Sequence, residues 1–148
     1  MVFLCQLKQC GSPVDDLVIV YKQYVRPILE FACPVWHPGL TRDQNKVLEK
    51  LQKRAFRIIL SVDVVSSTSY DHMCDMVQLP PLETRREQLH LKFGQNLLGS
   101  MKHRSLLPPT RSNNLCNANT LSIPKCRTNR YKNSTIPFLT NLLNKNWL

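Results

Sequence analysis

The sequence predicts a mainly helical protein, in which a small domain of about four helices over residues 1–100 precedes an extended, basic, loosely ordered tail over residues 101–148. Apolar residues recur at helical spacing in the first segment, whereas beyond Ser100 this periodicity gives way to proline and asparagine. The charged residues also differ between the two parts of the chain. Residues 1–87 hold eleven Lys/Arg and ten acids, while residues 88–148 hold nine Lys/Arg and no acid.

The first predicted helix covers residues 13–31. Asp15 and Asp16 open it, where acidic side chains suit the positive end of a helix, and apolar side chains follow at helical spacing: Leu17, Val20, Tyr21, Tyr24 and Val25. Pro27 removes a backbone donor and predicts a kink near Arg26. The segment CPVWHPG (33–39) is then expected to break the helix.

The second helix is predicted from Thr41 to about Leu60, because Thr41 and Gln44 have the spacing of a capping box. At about 100° per residue its apolar residues share one face. That predicted core face comprises Val47, Leu48, Leu51, Ala55, Ile58 and Ile59, and the predicted opposite face comprises Lys46, Lys50, Lys53 and Arg57.

Two further helices follow a polar break at residues 61–69. A short one runs from Tyr70 to about Val77 and ends before Pro80, and a longer one runs from about Glu83 to Leu98. The apolar side of the longer helix is predicted as Leu89, Leu91, Phe93, Leu97 and Leu98. In the tail only a weak terminal helix near residues 136–144 is expected.

Two groups of residues are candidates for phosphate contact. Lys46, Lys50, Lys53 and Arg57 repeat at i, i+4, i+7 and i+11, a spacing that can follow a phosphate backbone. Lys125, Arg127, Arg130, Tyr131 and Lys132 combine cations with an aromatic ring that can stack on an unpaired base. The alternatives are a solvated helix face for the first group and a disordered, solubilising tail for the second.

The sequence predicts no catalytic residue, metal site or cofactor. Polymerase chemistry needs paired carboxylates that hold two divalent metals, and the one adjacent pair, Asp15–Asp16, is better explained by the helix start. Cys33 and His37 lack a second ligand pair at zinc-finger spacing and are interpreted as structural residues. The six cysteines contain no C-x-x-C pair, and no 18-residue apolar stretch occurs, so a soluble, intracellular protein with reduced thiols is expected, nuclear or cytoplasmic.

Several segments together resemble a known family. FLCQLKQCG (3–11), the stretch 17–59, LPPLETRREQLHLKF (79–93) and PKCRTNRYKNSTIPF (124–138) follow one another as in the region C-terminal to the polymerase palm of LINE-type non-LTR retrotransposon reverse transcriptases, jockey/CR1-like. The most specific pieces are RPILEFACPVWHPG, LEKLQKRAFRII and CRTNRYKNS.

This resemblance implies a helical thumb and its C-terminal extension, which brace a template–primer duplex. The family's catalytic aspartates and their Mg²⁺ belong to a palm that this chain does not contain. The implied function is therefore a non-catalytic fragment of an RNA-directed DNA polymerase, whose partner is RNA or DNA held with weak sequence preference. The family usually has a basic residue where Cys5 stands, and residues 60–69 match no part of it.

Other interpretations remain open. The start at Met1 within such a domain fits a truncated, non-functional element. The helical segment 3–59 is also similar to a stretch assigned to the N-terminus of an alkylated-nucleic-acid repair dioxygenase, although the His-x-Asp pattern of that iron site is absent. A helical protein-interaction module without nucleic-acid function is a further alternative. An anionic membrane surface is disfavoured, because the basic stripe faces away from the apolar residues.

Overall fold

The computed structural model describes residues 1–61, 68–110 and 120–146. In these ranges the chain is mainly helical, which confirms the predicted fold class. It forms two compact units: unit 1 comprises residues 1–31 and 41–85, and unit 2 comprises residues 32–40 and 86–148. This division differs from the predicted one at residue 100, because the last described helix packs on the helix that contains residues 86–99.

The described residues of unit 1 are mainly helical. The helical elements are α1 (Val2–Gln9), α2 (Val14–Val20), a π-helical turn (Tyr21–Val25), α3 (Arg26–Glu30), α5 (Arg42–Leu60) and α6 (Tyr70–Val77). Unit 2 contains α4 (Cys33–Trp36), a 3₁₀ turn (His37–Gly39), most of α7 (Leu82–Gly99), a 3₁₀ turn (Arg104–Leu106), α8 (Asn129–Lys132) and α9 (Thr135–Lys145). Helix α9 confirms the predicted terminal helix.

The predicted kink before Pro27 takes the form of the π-helical turn. The backbone N–H of Arg26 donates to the carbonyl of Tyr21, five residues earlier. Pro27 then occupies the first turn of α3, where its missing N–H leaves no helical bond unmade. The two acids Asp15 and Asp16 lie in the first turn of α2, as expected.

The preceding helix ends near this point as predicted, but the segment 33–39 is itself helical. The break lies one residue earlier, at Ala32, whose φ of 50° is left-handed. Pro34 and Pro38 both stand at the first positions of their helical turns, which need no backbone donor. The two prolines therefore begin helical turns, and the break itself lies at Ala32.

The capping box of α5 is confirmed, and its predicted core face was right at Ala55 and Ile59 but wrong at Val47 and Leu51. The N–H of Thr41 donates to Gln44 Oε1 at 2.9 Å, and the N–H of Gln44 donates to Thr41 Oγ1 at 3.3 Å. The buried side chains of the helix are Gln52, Ala55, Phe56 and Ile59, whereas Val47 is 55% and Leu51 37% exposed. The helix is rotated relative to the prediction, because the buried face is the one on which Gln52 and Phe56 contact other core residues.

Those partners belong to the core of unit 1. Phe56 packs edge-on against Tyr21, with ring centroids 5.6 Å apart. The Tyr21 hydroxyl donates to Gln52 Oε1 at 3.1 Å, and Gln52 Nε2 donates to the Pro80 carbonyl at 3.0 Å. A buried amide is stable when both of its ends are hydrogen-bonded. Around this group pack Leu4, Leu17, Val18, Ala55, Ile59, Met73, Cys74, Val77 and Leu79.

The buried stripe of α7 also differs from the prediction. It comprises Leu82, Arg86, His90, Gly94 and Leu97, at spacings of three or four residues, whereas Phe93 is 38% exposed. Arg86 Nε donates to His37 Nδ1 at 3.2 Å, and its guanidinium lies over the Trp36 ring. The His90 Nε2 atom lies 3.1 Å from the Pro34 carbonyl. These contacts with residues 34–37 offset part of the cost of burying the two polar side chains.

The hydrophobic core of unit 2 joins α7 to the C-terminal residues. It consists of Leu97, Leu107, Leu121, Leu139 and Leu143. The Asn144 side chain holds Leu121 in place by two hydrogen bonds. It accepts one from the Leu121 N–H at 2.9 Å and donates one to the Leu121 carbonyl at 3.0 Å. Much of the predicted tail is therefore part of a packed unit.

Candidate nucleic-acid interface

The cations predicted on α5 line two adjacent clefts in unit 1. The first, of about 460 Å³, is bordered by Arg42, Lys46, Lys50 and Lys53, together with Asn45, Glu49, Tyr70 and Glu83. The second, of about 520 Å³, is bordered by Lys50, Lys53, Arg54 and Arg57. Lys50 and Lys53 border both clefts. The two clefts therefore lie side by side along the helix, and together they are called the cationic trough.

The four predicted cations lie along the same two clefts, and two further cations border them. Lys46, Lys50 and Arg57 are exposed, and Lys53 is half-buried. Arg42 and Arg54, which the sequence analysis missed, also border the trough. Arg42 continues the four-residue repeat one turn before Lys46, so spacing alone could have identified it.

The ion pair between Lys46 and Asp43 leaves Lys46 accessible. Its Nζ lies 3.4 Å from the Asp43 carboxylate, with side chains 71% and 91% exposed. An exposed pair of this kind contributes little stability and exchanges readily for another anion.

Glu49 connects α5 to the other elements that border the trough. Its carboxylate accepts from the backbone N–H groups of Leu82 at 3.3 Å and Glu83 at 2.7 Å, at the start of α7. The Tyr70 hydroxyl donates to the same carboxylate, and burial, with this bond as the next cause, raises the pKa of Tyr70 above its ordinary range. Glu49 therefore holds the start of α6 and the first turn of α7 beside α5, with much of its negative charge engaged in hydrogen bonds.

The second predicted group lies in unit 2. Lys125, Arg127, Arg130, Tyr131 and Lys132 are all exposed, and the last three occupy the single turn of α8. Thr128 caps this turn, because its hydroxyl oxygen accepts from the Tyr131 N–H at 3.2 Å. Tyr131 is 45% exposed, so its ring is free to contact a ligand. The two predicted groups belong to different units.

The cysteines and histidines of the described ranges do not assemble into a metal site. No group of three or more His, Cys, Asp or Glu side chains there could hold a metal ion. Cys33 and His37 are buried side chains of unit 2. The ring centroid of His90 lies 5.4 Å from that of His37. Cys116 lies outside the described residues.

None of the described helices combines the length and the apolar character that a membrane-spanning helix needs. Comparison with protein-family models, curated proteins and solved structures gives no match for this chain.

Proposed function

We propose that this chain binds nucleic acid through backbone phosphates along the trough of α5, as a non-catalytic part of an RNA-directed DNA polymerase from a LINE-type mobile element. The observation that carries the proposal is the set of cations that α5 presents to the two adjoining clefts of the trough. Six cations border it, and the two carboxylates among its lining residues are Glu49 and Glu83. Glu49 is largely engaged by hydrogen bonds, so the trough presents a positive surface to an approaching backbone.

The length of the trough fits several consecutive phosphates. At a rise of about 1.5 Å per residue, Arg42 and Arg57 are roughly 22 Å apart along the helix axis. In B-form DNA the phosphates of one strand rise about 3.4 Å per nucleotide, so this length corresponds to roughly six phosphates. The cations stand on neighbouring turns, about 5–6 Å apart, and can each reach a different phosphate.

The trough offers little for reading base sequence. Its lining is dominated by lysine and arginine, and the hydroxyl of Tyr70 is engaged with Glu49. Phosphate contacts fix position without carrying sequence information. We therefore expect weak sequence preference, with Tyr131 and the cations of residues 125–132 adding contacts to unpaired nucleotides.

A second candidate function, a helical protein-interaction module, is favoured by a separate surface of unit 1. Phe3 and Tyr24 form an edge-on ring pair with centroids 6.4 Å apart, and the two side chains are 55% and 63% exposed. Ile28 is 76% exposed. Exposed aromatic residues of this kind are enriched at protein interfaces. This surface is separate from the residues that line the trough.

The test is binding of a 20-base-pair RNA–DNA hybrid by fluorescence anisotropy at about 50 mM salt. The variant Lys46→Gln/Lys50→Gln removes two trough cations, and Lys22→Gln/Lys92→Gln removes two exposed cations elsewhere. Each lost phosphate contact should weaken binding about tenfold at this salt concentration. We expect the trough variant to lose at least about tenfold and the control about twofold or less. Equal losses in the two variants would contradict the proposal.

Primer extension provides a second readout. The proposal assigns no nucleotidyl transfer to this chain, because the metal-holding carboxylates of a polymerase would lie in a palm. The purified protein should bind the primer–template and leave its length unchanged with Mg²⁺ or Mn²⁺. Incorporation that follows the protein through repurification would refute the assignment.

A further inference from the structure

Unit 2 contains a smaller cavity, of about 260 Å³, beside the basic turn α8. Its lining comes from α7, from the end of α8 and from α9, and comprises Glu87, Lys132, Asn133, Phe138, Asn141 and Lys145, with Leu142 completing it. The cavity thus combines two ammonium groups, two amides and one carboxylate with an apolar wall.

The polar side chains of this cavity have no other role in the described part of the chain. No hydrogen bond or ion pair joins the side chains of Glu87, Lys132, Asn133, Asn141 or Lys145 to another described residue. Four of these five side chains are exposed and Asn141 is half-buried, so water can satisfy their donors and acceptors until a ligand replaces it. Their donors and acceptors remain available to a ligand.

The apolar wall is held rigidly. The ring of Phe138 packs against His37 and His90, with centroids 5.9 and 5.2 Å apart and interplanar angles of 90° and 74°. His37 and His90 are themselves fixed by Arg86 and by the Pro34 carbonyl. A ring fixed in this way can support a planar ligand without losing much conformational entropy on binding.

Size and chemistry together select the ligand. Pockets for drug-sized molecules occupy about 300–1,000 Å³, so this cavity suits a smaller group. Amide and carboxylate side chains recognise the hydrogen-bonding edges of bases, ammonium groups recognise phosphate, and an aromatic wall accepts a planar ring. We infer that this cavity binds one unpaired nucleotide, with its base against Phe138 and its phosphate at Lys132 and Lys145.

This inference rests on the proposed function and adds a specific site to it. Arg130 and Tyr131 precede Lys132 on the exposed turn α8, so the neighbouring nucleotides of a single strand would meet a cation and an aromatic ring. The same chemistry is present in a free nucleoside 5′-monophosphate. The experiment therefore uses both cytidine 5′-monophosphate and a cytidine pentanucleotide.

The test is a ¹H–¹⁵N NMR titration of the full chain, together with anisotropy of the labelled pentanucleotide. The side-chain amide signals of Asn133 and Asn141 should shift on titration. The variant Asn141→Ala/Lys145→Ala should lose affinity by about tenfold or more, the effect of one lost charge-assisted hydrogen bond. The control Lys92→Ala/Asn96→Ala removes the same residue types from exposed positions of α7 and should lose about twofold or less.

The two ligands identify the source of the nucleotide. Shifts at Asn133 and Asn141 with the monophosphate support a site for free nucleotides, and shifts with the pentanucleotide alone support a site for a strand. Unchanged Asn133 and Asn141 signals with both ligands, or equal losses in the two variants, overturn the inference. Hybrid binding that still depends on Lys46 and Lys50 would show, in the same preparation, that the proposed function survives that result.

Discussion

Replacing Gly94 with alanine measures how closely α9 packs on α7. A Cβ atom at Gly94 would lie 2.7 Å from Leu139 Cδ1 and 3.1 Å from both δ carbons of Leu143. Both leucines are almost fully buried, at 0% and 1% exposure, so their methyl groups have little room to move. Overpacking of this kind costs about 1–3 kcal/mol, while glycine-to-alanine replacement inside a helix gains about 0.5–1 kcal/mol. We expect a net loss of about 1 kcal/mol.

Gly99→Ala is the matched control on the same helix. A Cβ atom there would meet nothing within 4 Å, so the replacement should stabilise the protein by up to about 1 kcal/mol. The free energy of unfolding is measured by urea titration followed by circular dichroism. In a Leu139→Ala background, Gly94→Ala should raise the free energy of unfolding rather than lower it. Leu139 Cδ1, the closest atom, is then absent, and the new methyl group fills part of the cavity that it leaves. Equal stabilisation by Gly94→Ala and Gly99→Ala would refute the described packing of α9.

Three further predictions concern stability. Phe56→Asp should unfold unit 1, because it buries a carboxylate in the core, whereas Leu51→Asp, at a 37% exposed position, should preserve most of the helical circular dichroism; the reverse order would mean that the face of α5 is misassigned. Gln78→Gly should raise the melting temperature, with a gain of about 1 kcal/mol, because the residue caps α6 with a left-handed φ of 54°; a lower melting temperature would argue against that conformation. Burial, followed by Arg86 and His90, lowers the pKa of His37 from 6.5 to about 4. The folded state therefore keeps this ring neutral, whereas the unfolded chain takes up a proton below about pH 6.5. The free energy of unfolding should fall by about 3 kcal/mol as the pH is lowered from 6.5 to about 4. Urea titrations between pH 7 and pH 4 should show this loss in the parent and a flatter profile in His37→Gln, and identical profiles would contradict it.

The sequence predicted the helices because their signals are local. The capping box at Thr41 and Gln44, the effect of Pro27 and the terminal helix all depend on residues a few positions apart. The orientation of α5 could not be predicted in this way. Apolar residues extend around more than half of that helix, and the buried face is decided by Tyr21 and Pro80, which are 31 and 28 residues away from Gln52 in the chain.

The same reason explains the error on α7. Arg86 and His90 have charged or polar side chains, and the contacts that reduce the cost of burying them come from residues 34–37, about 50 residues earlier in the chain. The candidate interface was easier to predict, because cations repeated on one helix face lie together in any fold that contains the helix. The contribution of Glu49 could not be inferred, since it depends on where the chain brings α7.

The dependence of hybrid binding on salt tests the central claim most directly. The parent protein and two variants are compared: one with Lys46, Lys50 and Arg57 replaced by glutamine, and one with Lys22, Lys92 and Lys102 replaced by glutamine, all six being exposed cations. If the trough holds phosphates, the slope of log affinity against log salt should fall by about 2.7 in the first variant, at about 0.9 per lost contact, and change little in the second. Equal slopes in the two variants, or an affinity that ignores salt, would contradict the account.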